Sequence, residues 1–245
     1  MSDTERDEDP LSAQPIFDPQ SIPHDPAFAD ISARGSAVAA DQLLPAALRH
    51  RFSMQLQWQP ELRTDVRLFY PDRPPRVASV LVPLLIGENE VRVLLTERTA
   101  HLHDHAGQIS FPGGRVEEND ADAVATALRE AFEEIGLPPS HVEVIGTLPE
   151  YLTASGYIVT PVVGLIERSF TLALDPFEVS EVFEVPLAFL MNPANHERRI
   201  VQLGNTARTF YAMPYGGERE GRVHFIWGAT AAMLRNLYQF LRQQP

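Results

Sequence analysis

Three glutamates at helical spacing follow directly after a glycine-rich turn, and this stretch holds the residues best suited to chemistry. Glu130, Glu133 and Glu134 occupy positions i, i+3 and i+4 beside Arg129. At about 100° per residue they share one arc of a helix, where like charges destabilise the helix unless cations bind. Carboxylates of this kind bind Mg²⁺, which commonly bridges them to substrate phosphates. The spacing indicates a divalent-metal site, although a solvated acidic helix face would have the same pattern.

The turn before this helix favours the metal site over the solvated face. Residues 111–114 read FPGG, and the glycines permit close approach of the backbone to a ligand or metal. Glu130 or a neighbour could accept a proton from an attacking water. A site with two or more metals would hold both the attacking and the leaving oxygen of the substrate. The chemistry indicated is metal-assisted hydrolysis.

The elements that must position this site can be read from hydrophobic periodicity. Residues 119–135 predict a helix, with Gly136 as its C-terminal stop. Its apolar stripe consists of Val124, Ala127, Leu128, Ala131 and Ile135. Upstream, residues 78–86 and 91–98 predict two strands of a hairpin that leads to the turn.

The rest of the chain predicts strands interleaved with a few helices. Residues 229–242 form a helical pattern whose apolar face we expect to pack on the sheet, a dimer contact being the alternative. This order indicates an α/β fold, an α/β/α sandwich with a mixed sheet. Strands are predicted at 141–148, 157–167, 200–214 and 221–227, a strand followed by a short helix within 177–190, and a short helix at 41–51.

Composition and charge exclude several classes of function. The chain of 245 residues has no cysteine and no lysine, which excludes disulfides, thiolate metal sites and a catalytic or phosphate-binding lysine. A net charge of −13 argues against nucleic acid or an anionic membrane as partner. A phosphate substrate would therefore need bound cations to offset repulsion. The most suitable partner is a small molecule.

The amino-terminal part differs from the remainder. Residues 1–45 carry nine acidic and only two basic side chains together with several prolines, which predicts a poorly ordered extension before a single domain at 46–245. The start, MSDTERDEDP, has no apolar segment of a signal peptide. No stretch approaches the roughly 20 apolar residues of a membrane span. We expect a cytoplasmic protein.

Gly114 and the run REAFEEIGL at 129–137 resemble the Nudix box of the Nudix hydrolases, G-x5-E-x7-R-E-U-x-E-E-x-G-U, where U is aliphatic. The resemblance implies that Gly114, through its carbonyl, and the three glutamates bind Mg²⁺ or Mn²⁺. Arg129 would then orient a glutamate through a salt bridge. Asp120 stands where the box has Glu, with one residue too many before Arg129, and a helix N-cap is its alternative role.

The residues before the box resemble the motif of the coenzyme A pyrophosphatase branch of this family. They are LLTERT at 94–99, Gly107 and the FPGG turn, with His103 where that motif has Arg. The resemblance implies hydrolysis of coenzyme A or acyl-CoA to 3′,5′-ADP and (acyl-)4′-phosphopantetheine. Arg98, His103, Gly107 and Phe111 are the substrate-binding candidates, and the guanidinium of Arg98 is suited to phosphate.

Several alternatives stay open at the level of sequence. A further acid from a later loop often completes such sites, and spacing does not choose between Glu178 and Glu181. The substrate could be another nucleoside diphosphate derivative of the ADP-ribose or NADH type. A Nudix-fold binding module without catalysis, or an acidic interaction protein, is a further alternative, and the chain could form a homodimer.

Overall fold

The computed structural model describes residues 18–30, 35–54, 56–65, 74–100, 107–168, 170–203, 206–217 and 221–243. Its helices are α1 (Pro45–Ser53), α2 (Ala123–Ile135), α3 (Leu187–Leu190) and α4 (Gly228–Leu241), with short 3-10 turns elsewhere. Its strands are β1 (Arg76–Ile86), β2 (Val91–Arg98), β3 (Ile109–Ser110), β4 (Gly113–Arg115), β5 (Val142–Thr147), β6 (Tyr151–Leu152), β7 (Tyr157–Glu167), β8 (Val179–Pro186), β9 (Glu197–Leu203), β10 (Thr206–Gly216) and β11 (Val223–Trp227).

Eight strands form one mixed sheet. The main path is β3-β2-β1-β7-β5, while β4, β6 and β8 pair with β1, β7 and β2 respectively. The central strands β1 and β7 are parallel, and the other pairs of this sheet are antiparallel. Strands covered on both faces need apolar side chains at successive positions, which explains the nearly continuous apolar run of β1. The strands β11-β10-β9 form a separate antiparallel sheet.

Helices cover both faces of the mixed sheet. On one face α2 contributes Ala127, Ala131 and Ile135 to a core cluster that includes Leu81 and Leu85 of β1. On the other face α4 packs into a larger cluster, and its residues Leu234, Leu237, Tyr238 and Leu241 are at most 1% exposed. The apolar face of α4 is therefore covered within a core that the mixed sheet shares with β10 and β11. The predicted α/β/α sandwich with a mixed sheet is confirmed.

The ends of α2 are fixed by local side-chain and backbone chemistry. The carboxylate of Asp122 caps the first turn by accepting a hydrogen bond of 2.8 Å from the Ala125 amide. Gly136 ends the helix in the left-handed conformation at φ 68°, as its position predicted. The helix begins at Ala123 rather than at residue 119 because Asp122 is the cap. The alternative N-cap role for Asp120 was therefore wrong.

The prediction of one strand over residues 200–214 was also wrong. The structure places the end of β9 and most of β10 there, paired antiparallel from Thr206 opposite Leu203 to Ala212 opposite Glu197. Polar and apolar residues alternate in both strands, so the alternation continues through the turn between them and resembles a single strand. Residues 204 and 205, Gly-Asn in the sequence, lie outside the described residues, and this dipeptide is a hairpin signal.

Part of the predicted amino-terminal extension lies against the folded domain. Asp25 forms an ion pair of 2.7 Å with Arg198, and the side chains of Ile22 and Val38 are buried. Residues 1–17 and 31–34 are outside the described residues, so poor order at 1–45 stays a prediction. Within the described part of the chain, no helix is both long and apolar enough to cross a membrane.

Candidate active site

The FPGG turn and α2 meet where β4 runs beside β1. Gly113 and Gly114 pair with Val80 and Ser79 of β1, which fixes the position of the turn. The Gly113 amide donates a hydrogen bond of 3.2 Å to Glu134 Oε2. At Gly114, a Cβ atom would lie 2.5 Å from Cδ of Glu130. A glycine at this position lets β4 pass close to this carboxylate.

Burial dominates the electrostatics of Glu134. Its side chain is 5% exposed, and burial raises the pKa of Glu134 to about 8, with Glu178 and Glu130 adding to the effect. Arg98 and the Gly113 amide oppose this rise. A carboxyl group that is costly to ionise in the empty protein becomes favourable when a cation lies against it.

The pKa of Glu130 is raised by similar causes, but by less than that of Glu134. Burial raises the pKa of Glu130, and the charges of Glu133 and Glu178 also raise it against the opposing effect of Arg129. Its side chain is 15% exposed, whereas that of Glu133 is 56% exposed. The three glutamates thus run from the buried edge of α2 to its solvent side.

Arg129 holds the outer two glutamates in place. Its Nη1 atom lies 3.0 Å from Glu130 Oε1 and 3.1 Å from Glu133 Oε2. Its Nη2 atom donates a bond of 2.9 Å to the carbonyl of Arg115, directly after Gly114. Arg129 therefore ties α2 to β4. The expected salt bridge to a glutamate is present, and it reaches two glutamates.

Asp120 is the principal partner of Arg129. Its two carboxylate oxygens each accept a hydrogen bond of 3.0 Å from the guanidinium. This pair holds the pKa of Asp120 well below its usual range, with hydrogen bonds from the Glu117 amide and the Thr126 hydroxyl in support. The carboxylate is fully engaged as a positioning group. Asp120, which departs from the box pattern, thus binds and positions Arg129 of the box.

The substrate-binding candidates fall in different environments. Arg98 lies at the carboxylates, with Nη1 3.7 Å from Glu134 Oε1. Gly107, at φ 67°, bonds through its amide to the Arg98 carbonyl and borders an open cavity of about 320 Å³. The ring of Phe111 is 2% exposed and belongs to the larger core cluster, so its side chain supports the turn from within. His103 lies outside the described residues.

The structure separates the two later acids that spacing did not distinguish. Glu178 acts electrostatically on both Glu130 and Glu134, and its carbonyl accepts a 3.0 Å bond from the Thr99 amide, one residue after Arg98. Glu181 lies opposite Glu97 across the β2–β8 pair. The acid near the glutamates of α2 is therefore Glu178.

Glu181 belongs to a second polar cluster. Ligand atoms of Glu97, Glu181 and His224 lie within 4.8 Å of one another, at a spacing that a metal ion could bridge. The guanidinium of Arg222, however, lies 2.7 Å from Glu97 and 2.6 Å from Glu181. Because Arg222 already supplies positive charge to both carboxylates, we assign no metal to this cluster.

Two positioning residues, Gly113 and Ser79, were not predicted from the sequence. The Gly113 amide was not expected to bond a glutamate, although its place in the FPGG turn was a signal. Ser79 is fully buried, with its hydroxyl 2.7 Å from the Ala123 carbonyl and 2.9 Å from the Thr160 carbonyl. A lone hydroxyl within an apolar strand was the available signal, since buried hydroxyls need partners.

The groups that surround Gly114 suit a hard divalent cation. Three carboxylates and a backbone carbonyl offer only oxygen ligands, which Mg²⁺ and Mn²⁺ prefer. Gly114 fits closely against Glu130, so the backbone of the turn lies against one of these carboxylates. Burial raises the pKa values of Glu130 and Glu134 despite the neighbouring arginines, so a cation bound here would favour their ionised forms.

Comparison with known proteins agrees with this geometry. The NUDIX domain family matches residues 75–202. The chain is 43% identical over 163 residues to the uncharacterised Nudix hydrolase NudL of Escherichia coli K12, covering 66% of this chain and 81% of that protein. The NudL protein of Shigella boydii is 42% identical over the same shares.

Similar solved structures carry the same family names. A MutT/nudix family protein from Enterococcus faecalis has a TM-score of 0.44 at 16% identity, covering 81% of this chain and 75% of that chain. The NUDIX domain of Shewanella oneidensis NrtR, solved with ADP ribose, has a TM-score of 0.38 at 24% identity, covering 47% and 75%. Nudix hydrolases generally use divalent metal ions. On the match over more than half of its length, the chain belongs to the Nudix hydrolase family.

Proposed function

We propose that this Nudix hydrolase cleaves the diphosphate of coenzyme A or acyl-CoA, releasing 3′,5′-ADP and (acyl-)4′-phosphopantetheine. The observation that carries the proposal is the ion pair between Arg98 Nη1 and Glu134 Oε1 at 3.7 Å. Arg98 belongs to the upstream segment that resembles the coenzyme A motif, and Glu134 belongs to the Nudix box. Their contact supports one site in which substrate recognition and hydrolysis meet.

The glutamates and the Gly114 carbonyl would hold Mg²⁺ or Mn²⁺. When bound, such ions neutralise phosphate oxygens and lower the pKa of a water molecule. This role suits a protein with a net charge of −13, because metals rather than basic side chains offset most of the phosphate charge. Glu178 raises the pKa of both Glu130 and Glu134 through its charge, which supports it as the further acid of this set.

The chain's own residues would divide the remaining work. A glutamate of α2 would accept the proton of the attacking water. Arg98 would donate hydrogen bonds to a phosphate oxygen, for which a guanidinium presents a fork of charged donors. Arg129 would act at one remove, since its bonds to Glu130 and Glu133 hold their carboxylates toward the β4 turn.

The test uses the full chain with coenzyme A and either Mg²⁺ or Mn²⁺. We expect 3′,5′-ADP and 4′-phosphopantetheine to form, and chromatography detects both products. If the protein cleaved ADP-ribose or NADH but not coenzyme A, the hydrolase activity would stand and coenzyme A would be rejected as its substrate. Binding of these compounds without turnover under either metal would favour the non-catalytic Nudix module.

A further inference from the structure

Glu178 lies on a short turn that leads directly into β8. The carboxylate of Asp175 accepts a hydrogen bond of 2.8 Å from the Phe177 amide, and the Asp175 carbonyl accepts one of 3.2 Å from the Glu178 amide. An aspartate whose side chain bonds the amide two residues further on is a common way to close a turn. We call residues 175–178 the Asp175 turn.

Apolar contacts do little to hold the Asp175 turn in place. Phe177 is 74% exposed, Pro176 is also exposed, and Leu174, just before the turn, is 38% exposed. A segment that buries few apolar groups opens easily unless other bonds hold it. The position of this turn therefore depends on its hydrogen bonds.

Hydrogen bonds tie the Asp175 turn at both ends to the candidate active site. At one end, the Asp175 amide donates a bond of 2.9 Å to the Glu134 carbonyl near the C-terminal end of α2. At the other end, the Thr99 amide donates a bond of 3.0 Å to the Glu178 carbonyl. The Thr99 hydroxyl donates a second bond, of 2.7 Å, to the Phe177 carbonyl. The turn is thus fixed between α2 and the residue that follows β2.

Thr99 belongs to the LLTERT segment, but its surroundings are those of a structural anchor. It is 6% exposed, and carbonyls of the Asp175 turn accept hydrogen bonds from both its amide and its hydroxyl. Arg98, one residue earlier, has its Nη1 atom 3.7 Å from Glu134 Oε1. The same segment therefore supplies a charged group to the site and a buried hydroxyl to the turn that carries Glu178.

Repulsion among the acids makes this anchoring necessary. The charge of Glu178 raises the pKa of both Glu130 and Glu134, so the three carboxylates act on one another. Without a cation, such repulsion favours movement of the turn away from α2. Hydrogen bonds that already exist in the folded protein oppose this movement, and a group held in its bound position costs less free energy to bind.

We propose that Thr99 is a positioning residue that holds Glu178 in place for the divalent cation. It acts through the Asp175 turn and contacts neither the cation nor the substrate. The inference rests on the proposed function, because it takes Glu178 as the further acid of the metal site. Residues that orient a metal ligand typically contribute about 10- to 100-fold to metal affinity.

Calorimetric titration of the full chain with Mn²⁺, in the absence of substrate, tests the proposal. Thr99→Val keeps the branched shape of the side chain and its backbone bond but removes the hydroxyl. The dissociation constant of this variant for Mn²⁺ should rise by about tenfold. Thr99→Ser keeps the hydroxyl and should bind Mn²⁺ nearly as tightly as the wild-type chain.

A double variant shows whether Thr99 acts through Glu178. Glu178→Gln alone should raise the dissociation constant for Mn²⁺ by about tenfold or more. Adding Thr99→Val to Glu178→Gln should raise it no further, because the carboxylate to be positioned is gone. A general structural effect of Thr99→Val would instead multiply with that of Glu178→Gln, as the effects of independent changes do.

Thr230→Val is the matched control. Thr230 of α4 is also 6% exposed, and its hydroxyl donates a bond of 3.0 Å to the Ile109 carbonyl. The helix α4 packs on the face of the mixed sheet opposite α2. Loss of this hydroxyl should leave the affinity for Mn²⁺ at the wild-type value. Thermal midpoints check that every variant is folded.

The outcomes distinguish this inference from the proposed function. Unchanged Mn²⁺ affinity in folded Thr99→Val, or the same loss with and without Glu178→Gln, would overturn the positioning role even if the protein cleaves coenzyme A. Coupling between Thr99 and Glu178 without cleavage of coenzyme A would keep the positioning role and reject coenzyme A as the substrate.

Discussion

Replacing Gly114 by alanine adds one methyl group where β4 passes the carboxylate of Glu130. The new Cβ would lie 2.5 Å from Glu130 Cδ, whereas carbon atoms pack at about 3.5 Å. The carboxylate or the strand must therefore move by roughly 1 Å. The φ angle of Gly114 lies outside the positive range that only glycine tolerates, so the backbone accepts alanine and the clash is the sole effect.

A displacement of this size should be far more damaging to catalysis than to folding. Misplacement of a reacting group by about 1 Å can cost on the order of 10²-fold in rate. We expect Gly114→Ala to lower kcat/KM for coenzyme A by about that factor. The atoms that the methyl group meets are the far end of the Glu130 side chain, which can turn aside, so the loss of stability should be small. Kinetics of 3′,5′-ADP formation and thermal unfolding measure the two effects separately.

Gly216→Ala is the matched control. Gly216 ends β10, and a Cβ there would meet no atom within 4 Å in the described structure, so both activity and stability should stay at the wild-type level. If Gly114→Ala retained activity within about threefold, the carboxylate of Glu130 would not need its observed position. The assignment of Gly114 and Glu130 to one metal site would then be wrong.

Three further predictions concern the acids around this site. Glu134→Gln should lower kcat/KM by on the order of 10²-fold or more. Burial raises the pKa of Glu134 to about 8, so this carboxyl ionises more readily in the unfolded chain and lowers the stability of the metal-free protein as pH rises toward 8. The metal-free variant should therefore melt no lower than the metal-free wild type at pH 8. Glu178→Gln should lower kcat/KM by about tenfold whereas Glu181→Gln should not, and the reverse order would contradict our placement of the acids. Arg129 holds the pKa of Asp120 below its usual value of about 3.9, so this pair stabilises the fold above that pH and loses its effect as pH falls further. Asp120→Asn should therefore melt lower at pH 7 and show a flatter loss below about pH 4, and parallel melting profiles would refute the role of this pair.

Local patterns predicted the elements well where one face is apolar and a stop signal follows. Residues 157–167 were predicted as a strand with the observed bounds of β7, because its side chains are apolar throughout the sheet centre. The C-terminal end of α2 at Gly136 followed from the conformational freedom of glycine. Its beginning was misplaced because Asp120 and Asp122 are both good caps, and only packing shows which carboxylate Arg129 occupies.

Spacing along the chain determined the three glutamates of α2, Arg129 beside them and the glycine turn before them. These residues are close in sequence, so helix geometry alone brings them together. The family membership follows from the same local order. It required no knowledge of how distant strands pair.

Only the tertiary structure decided which residues from elsewhere join this set. Glu178 rather than Glu181 lies near Glu130 and Glu134 because β8 pairs with β2 in one register, which turns Glu181 toward Arg222. The ring of Phe111 lies in the core, and Arg115 meets Arg76 and Tyr157 across β1. Contacts between residues dozens of positions apart depend on strand order and register, which hydrophobic periodicity does not encode.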